Sequence, residues 1–286
     1  MANQTFNISL PDGVNAIDNP LAGGDRVTLP FKAPSLYWHN GQAQVAKDAS
    51  GALFFGGWWA NAEEIESLSG PLPEKFIQET WTNREGGTYD VFAARSILVA
   101  VIASRFRWTT KKDAQGNVTG NTSQKQVLCY MAYSEVDRKT KAKLILPWGP
   151  VVLAFKGLAG TWLDSAFKAH EKGIAEVRKE IAASVPWPYF YAILGTFGND
   201  RVQEMVGKVQ KSPITPPLAY VPEKLDAATL ATLYVGEEIA GRMGELKEDA
   251  SEWLADWKSA PRNGGAEATS DFAEQPPDYV DNSVPF

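Results

Sequence analysis

Residues 89 to 108 read Tyr-Asp-Val-Phe-Ala-Ala-Arg-Ser-Ile-Leu-Val-Ala-Val-Ile-Ala-Ser-Arg-Phe-Arg-Trp, and this stretch decides the fold class. It is rich in β-branched and aromatic side chains, and its centre, Ile97 to Ala103, is apolar at every position. A run of that kind predicts a long strand buried on both faces at its middle. The chain then turns polar through Thr109–Lys125, with Gly116, Asn117, Gly120 and Asn121, and becomes strand-like again from Gln126 to Ser134. The pattern predicts a long β-hairpin with a basic tip. If the first arm is one regular strand, Arg95, Arg105 and Arg107 share a face while Phe106 and Trp108 take the other, unless a bulge intervenes.

Outward from the hairpin, shorter strands are expected at Val27–Phe31, Leu36–Trp38 and Ala52–Trp59, then at Leu144–Phe155 and Tyr189–Phe197. Pro147 and Pro150 interrupt the Leu144–Phe155 stretch. Glu63–Leu68 and Glu74–Trp81 read as short helices between Gly70, Pro71 and Pro73. Leu163, Phe167, His170, Ile174, Val177 and Ile181 recur at intervals of three and four, the stripe of an amphipathic helix. A second helical region starts near Leu225 and keeps its spacing through Ile239, Met243, Leu246, Ala250, Leu254 and Trp257, with Gly236, Gly241 and Gly244 as breaking points. Lys211–Pro222 reads as a proline-rich connection. The expected class is β-rich α+β: an OB-like barrel with a long hairpin and appended helices over residues 1–260. Residues 261–286 form an acidic tail too poor in apolar groups to offset its ordering entropy.

Composition narrows function. The chain has 286 residues, 44% of them hydrophobic, and a formal net charge of −6. The charge is unevenly placed: Glu267, Asp271, Glu274, Asp278 and Asp281 lie in the tail beyond Gly264, which holds no Lys or Arg. Between Arg95 and Lys143, Lys and Arg outnumber Asp and Glu by ten to three. A basic hairpin and an acidic tail on one chain make a charge asymmetry that calls for an explanation. Cys129 is the single cysteine and His39 and His170 the two histidines, so thiolate clusters and Cys–His nucleophiles find little support. There is no P-loop, nucleophile elbow or dinucleotide fingerprint. No cofactor and no enzymatic activity are expected. The N-terminus lacks a signal-peptide pattern and no apolar run reaches membrane-spanning length, so a cytoplasmic protein is expected. Four Asn-x-Ser/Thr sequons, at Asn3, Asn7, Asn117 and Asn121, then have no glycosylation to direct.

The chain ends Asp278-Tyr-Val-Asp-Asn-Ser-Val-Pro-Phe286. In these residues it resembles bacterial and phage single-stranded DNA-binding proteins, which finish in acids followed by an aliphatic residue, Pro and a terminal Phe. Asp278 and Asp281 match the acidic part; Val284, Pro285 and Phe286 match the tip. Asn282 and Ser283 stand where the family usually has further acids. The resemblance covers about the last tenth of the chain. It implies a cytoplasmic protein, of a bacterial cell or a phage-infected host, that coats single-stranded DNA in replication, recombination and repair and recruits partner proteins through the tip. The tip's chemistry fits that role: Phe286 carries a ring and the α-carboxylate together, and Pro285 limits the conformations lost on docking.

Single-strand binding without sequence choice needs cations for phosphates and aromatic faces for bases. The candidates are Arg95, Arg105, Arg107, Trp108, Lys111 and Lys112 on the first arm, Lys125, Tyr130 and Tyr133 on the return, and Arg138, Lys139, Lys141 and Lys143 beyond it. Trp58 and Trp59 are adjacent, so in a strand one faces in and the other out. His170, Trp162 and Trp257 lie on or beside helical stripes and are expected in the core. A strand-annealing recombination protein, or a module that docks only through its tail, are the alternative readings.

Overall fold

In the computed structural model the described residues are 27–40, 56–62, 65, 72–73, 76–82, 88–112, 118–137, 139, 143–196, 204–206 and 212–257. They form an α+β fold built on a nine-stranded sheet. The strands are β1 (Ser35–Asn40), β2 (Gly56–Asn61), β3 (Ile77–Thr82), β4 (Thr88–Ala94), β5 (Ser96–Lys112), β6 (Val118–Val136), β7 (Lys143–Lys156), β8 (Ala192–Gly195) and β11 (Leu218–Tyr220). Their order is β11-β8-β5-β6-β7-β1-β2-β4-β3, so the sheet has two ends and is not closed. Two short strands, β9 (Glu204–Val206) and β10 (Ser212–Ile214), pair with each other within and beside the expected proline-rich connection.

The hairpin expected from the sequence is present as β5 and β6, paired antiparallel from Leu98↔Ala132 to Lys112↔Val118. The expected single strand from Tyr89 to Trp108 is instead two strands meeting at a kink at Arg95. β4 pairs with β2 and β3, while β5 pairs with β6 and β8. Because Ala94 and Ser96 flank one residue, the end of β4 and the start of β5 lie side by side. The strands from β5 through β6, β7, β1 and β2 to β4 must therefore curl until the last returns to the first. Two glycines allow the close approach this demands. A Cβ on Gly57, whose φ is +151°, would meet the Ala94 carbonyl oxygen at 2.5 Å, and one on Gly195 would collide with the Arg95 backbone.

The curl has an inner face filled by Leu36, Trp58, Ile97, Val99, Val127, Cys129, Met131, Val151, Leu153 and Phe155. Helix α1 (Leu158–Ala182) closes over them with Ala159, Leu163, Ala166 and Phe167. The first four residues of the predicted stripe, Leu163, Phe167, His170 and Ile174, are buried as expected, whereas Ile181 ends exposed. The outer face near the hairpin base is covered by α2 (Ala227–Leu233), α3 (Glu237–Asp249) and α4 (Ser251–Asp256), where Leu98, Ala100, Ile102 and Leu128 meet Leu230, Met243, Leu246 and Trp253. The predicted break at Gly236 falls between α2 and α3, at a φ of +82° that favours glycine.

Two further expectations are corrected. Glu74–Trp81 holds an edge strand, β3, rather than a helix. Its residues pair with β4 from Ile77↔Ala93 to Thr82↔Thr88, and the Thr80 hydroxyl donates to Asp90 across the pair. β7 runs unbroken through Pro147 and Pro150 because a bulge absorbs them: Met131 pairs with Gly149 and Ala132 with Pro147, leaving Trp148 as the extra residue. Most of the Glu63–Leu68 helix and the whole tail after Trp257 lie outside the described residues. No described helix is long and apolar enough to cross a membrane.

Candidate nucleic-acid interface

The hairpin's chemistry turns on one extra residue. Val101 pairs with Cys129 and Ala103 with Leu128, so Ile102 is a bulge. Both Ile102 and Ala103 then turn toward the helices on the outer face. Directly paired residues share a face, so beyond the bulge Arg105 and Arg107 point outward while Phe106 and Trp108 take the inner side. Regular alternation back to Arg95 does not survive the bulge and the kink. Arg95 is exposed beside Gly57 and Gly195, outside the groove described next.

Pairing carries one row of outward residues across five strands: Arg105↔Gln126, Gln126↔Ala154, Ala154↔Tyr37 and Tyr37↔Trp59. A second row runs Arg107↔Gln124 and Gln124↔Lys156. Together they line an open groove of about 940 Å³, bounded by Val27–Ala33 and by Trp253, Asp256 and Trp257 of the C-terminal helix. Tyr37 and Trp59 form an aromatic platform, with ring centroids 4.8 Å apart and planes 31° from parallel. Arg105 and Arg107 are held in position: each Nε donates to a glutamine Oε1 on β6, Arg105 to Gln126 at 2.8 Å and Arg107 to Gln124 at 2.9 Å.

Helix α4 reinforces this. The Arg105 guanidinium lies 3.8 Å from the ring centroid of Trp253 and 4.2 Å from that of Trp257; it donates to the Trp253 carbonyl at 2.7 Å and pairs with Asp256 at 3.6 Å. Burial pushes its pKa down to about 10, opposed by the Asp256 carboxylate. It stays protonated at any physiological pH. Arg107 lies over the Trp257 ring at 4.5 Å. Cation–π contacts of this kind contribute about 0.5–2 kcal/mol each. Arg105 is therefore chiefly a fixed cation in the wall, whereas Lys156 is exposed.

The remaining candidates divide as follows. Trp59 lines the groove. Trp58 is wholly buried, donates Nε1–H to the Leu194 carbonyl at 2.9 Å and packs edge-on against Trp38 and Phe155. Lys125 pairs with Asp164 of α1, so its charge is met within the fold. Tyr130 is half-buried among the helices, and burial raises its hydroxyl pKa. Tyr133 is half-buried opposite Leu146. Lys139 is exposed in the turn after β6. Lys111, Lys112 and Lys143 occupy strand positions, but their side chains are outside the described set, as are Arg138, Lys141, Asp278, Asp281, Val284, Pro285 and Phe286 altogether. Trp162 and His170 are buried as expected; burial takes the His170 pKa down to about 4. Trp257 is buried too, yet its ring forms groove wall.

Tyr37, Gln124, Gln126, Lys156 and Trp253 belong to the groove without having been marked by the sequence. Tyr37 had a signal: it alternates with buried Leu36, as Trp59 does with Trp58. Among the described residues no cluster of His, Cys, Asp and Glu is placed to hold a metal ion. No family model, curated protein or solved structure matches the chain.

Proposed function

We propose that the chain binds single-stranded DNA non-specifically in this groove and recruits replication, recombination or repair proteins through its acidic C-terminal tip. The observation that carries the reading is the pair of outward rows, which sets an aromatic platform and three cations along one open channel. Phosphates would lie along Arg107 and Lys156, with Arg105 a fixed cation in the wall, and bases would stack on Tyr37 and Trp59. The glutamines between them can hydrogen-bond any base edge or phosphate, which suits binding without sequence choice.

The OB-like reading belongs here as well. If β4 and β5 count as one bent strand, the curl comprises five: β4/β5, β6, β7, β1 and β2. A partly open five-stranded barrel that uses a sheet face for oligonucleotides is the OB arrangement. The groove lies on that face, centred on β6 and β7. The body would be residues 1–260 and the tail 261–286 a disordered extension.

The test is fluorescence anisotropy with labelled single- and double-stranded oligonucleotides over a salt series. Preferential, salt-sensitive binding to single strands is expected, weakened in Lys156→Gln and Trp59→Ala. Absence of binding at low salt would overturn the proposal.

A further inference from the structure

Among the described residues the outer edge of β5 is unpaired in its distal half. β8 pairs only with Ser96 to Val99, and among the described residues no strand pairs with β5 on that side from Ala100 onward. On this free edge, facing away from the groove, stand Phe106 and Trp108. They are 48% and 58% exposed, with ring centroids 5.6 Å apart in an edge-to-face pair. Two large aromatics side by side on an open edge strand invite a partner.

The charge on the same strand selects which one. Arg105 and Arg107 both belong to β5 and share a face, so a second copy paired edge to edge beside Phe106 and Trp108 would bring arginines together. A polyanion would not. We infer that a single nucleic-acid strand leaving the groove over Arg107 passes round the free edge of β5 and stacks further bases on Phe106 and Trp108. Arg107 and Trp108 are consecutive on β5, so the cationic end of the groove and the second aromatic pair lie on opposite faces of one strand, while the Tyr37–Trp59 platform stands across β6 and β7. The inference rests on the groove being a single-strand site. It adds that the site has two segments on opposite faces of the sheet, the second reached only by longer oligonucleotides.

The experiment compares the full chain with a Phe106→Ala/Trp108→Ala variant on oligo-dT of increasing length, with melting temperature and sedimentation measured alongside. Short oligonucleotides should bind both proteins alike. Longer ones should favour the wild type by about fivefold or more, the effect of losing at least one stacked base. In the unsubstituted protein, 5-iodouracil in a long oligonucleotide should photocrosslink to Phe106 or Trp108, a readout independent of how the variant folds. Equal affinity at every length, or crosslinks confined to the groove, overturns the inference and leaves the groove reading intact. Wild-type protein that binds no length removes both. A wild-type dimer that becomes monomeric in the variant, with DNA binding unchanged, assigns the pair to self-association and overturns the inference as well.

Discussion

The inner and outer faces of the curled sheet are made from alternate residues of the same strands, yet they do different work. Trp58 and Trp59 show the difference within one peptide unit. Trp58 is fully enclosed, with its indole N–H satisfied by a backbone carbonyl and its ring held by two other aromatics. Trp59 lies against Tyr37 on the groove side. The same contrast separates Val127 and Cys129 from Gln124 and Gln126 on β6. The enclosed inner positions are apolar, with Lys125 beyond them paired to Asp164, whereas the outer positions change from apolar near the helices to polar and cationic along the groove. The inner face holds the curl together, and this leaves the far part of the outer face free to carry chemistry.

If that division is right, substitutions on the two faces should separate stability from binding. The largest effect is expected from Trp58→Ala. Loss of a buried indole and its hydrogen bond should cost about 3–5 kcal/mol, read as a lower denaturant midpoint. With typical stabilities of about 5–15 kcal/mol, the variant would be close to unfolding. Trp59→Ala should leave the midpoint nearly unchanged. Comparable losses at both positions would break the comparison.

The next effect comes from the covered side of the molecule. His170 is enclosed by α1, Trp187 and Phe190, and its pKa falls from 6.5 to about 4 because burial disfavours the imidazolium. The unfolded chain therefore takes up a proton at higher pH than the folded one. The associated stability is complete above about pH 6.5 and declines as the pH falls toward 4, by about 3 kcal/mol at the limit. Melting temperatures between pH 7 and 4.5 should show this decline, and His170→Phe should flatten it. An unchanged slope in that variant would assign the acid sensitivity elsewhere.

Much of the frame was legible in the sequence, and the misses have physical causes. The hairpin, the α1 stripe and the opposition of Trp58 and Trp59 all follow from local periodicity. The kink at Arg95 does not, because it depends on Gly57 and Gly195 letting distant strands approach. The bulge at Ile102 is equally non-local. It arises where both Ile102 and Ala103 find apolar company under the helices, and it decides which hairpin residues face the groove. β3 reads as a helix in sequence because an edge strand buries little and so shows weak alternation. Tyr37 and Gln126 stand out only once pairing aligns them with Arg105. The Trp257 ring reads as ordinary helix core because nothing local reveals an arginine beneath it, and the predicted stripe runs through Leu254 rather than Trp253.

On the groove side, Trp59→Ala should weaken single-strand affinity by about 1–3 kcal/mol, the usual worth of a stacked base, without altering the salt dependence. An indole contributes contact area rather than charge, so counterion release is untouched. A change in salt slope would mean that the substitution disturbed the cationic row.

The smallest and most diagnostic effect is expected at Arg107. If its guanidinium meets one phosphate, Arg107→Gln should reduce the slope of log affinity against log salt by about 0.7–1 and leave sequence preference unchanged. Arg105 offers the control. Trp253, Trp257, Asp256 and Gln126 already surround it, so Arg105→Gln should loosen α4 and lower the melting temperature more than it alters the salt slope. The two arginines are two residues apart on one strand and face the same groove, yet one should register in thermal stability and the other in ionic-strength dependence. If both changed the salt slope equally, α4 would have to move aside on binding and free Arg105 for a phosphate, and the wall of the groove would become part of its ligand site.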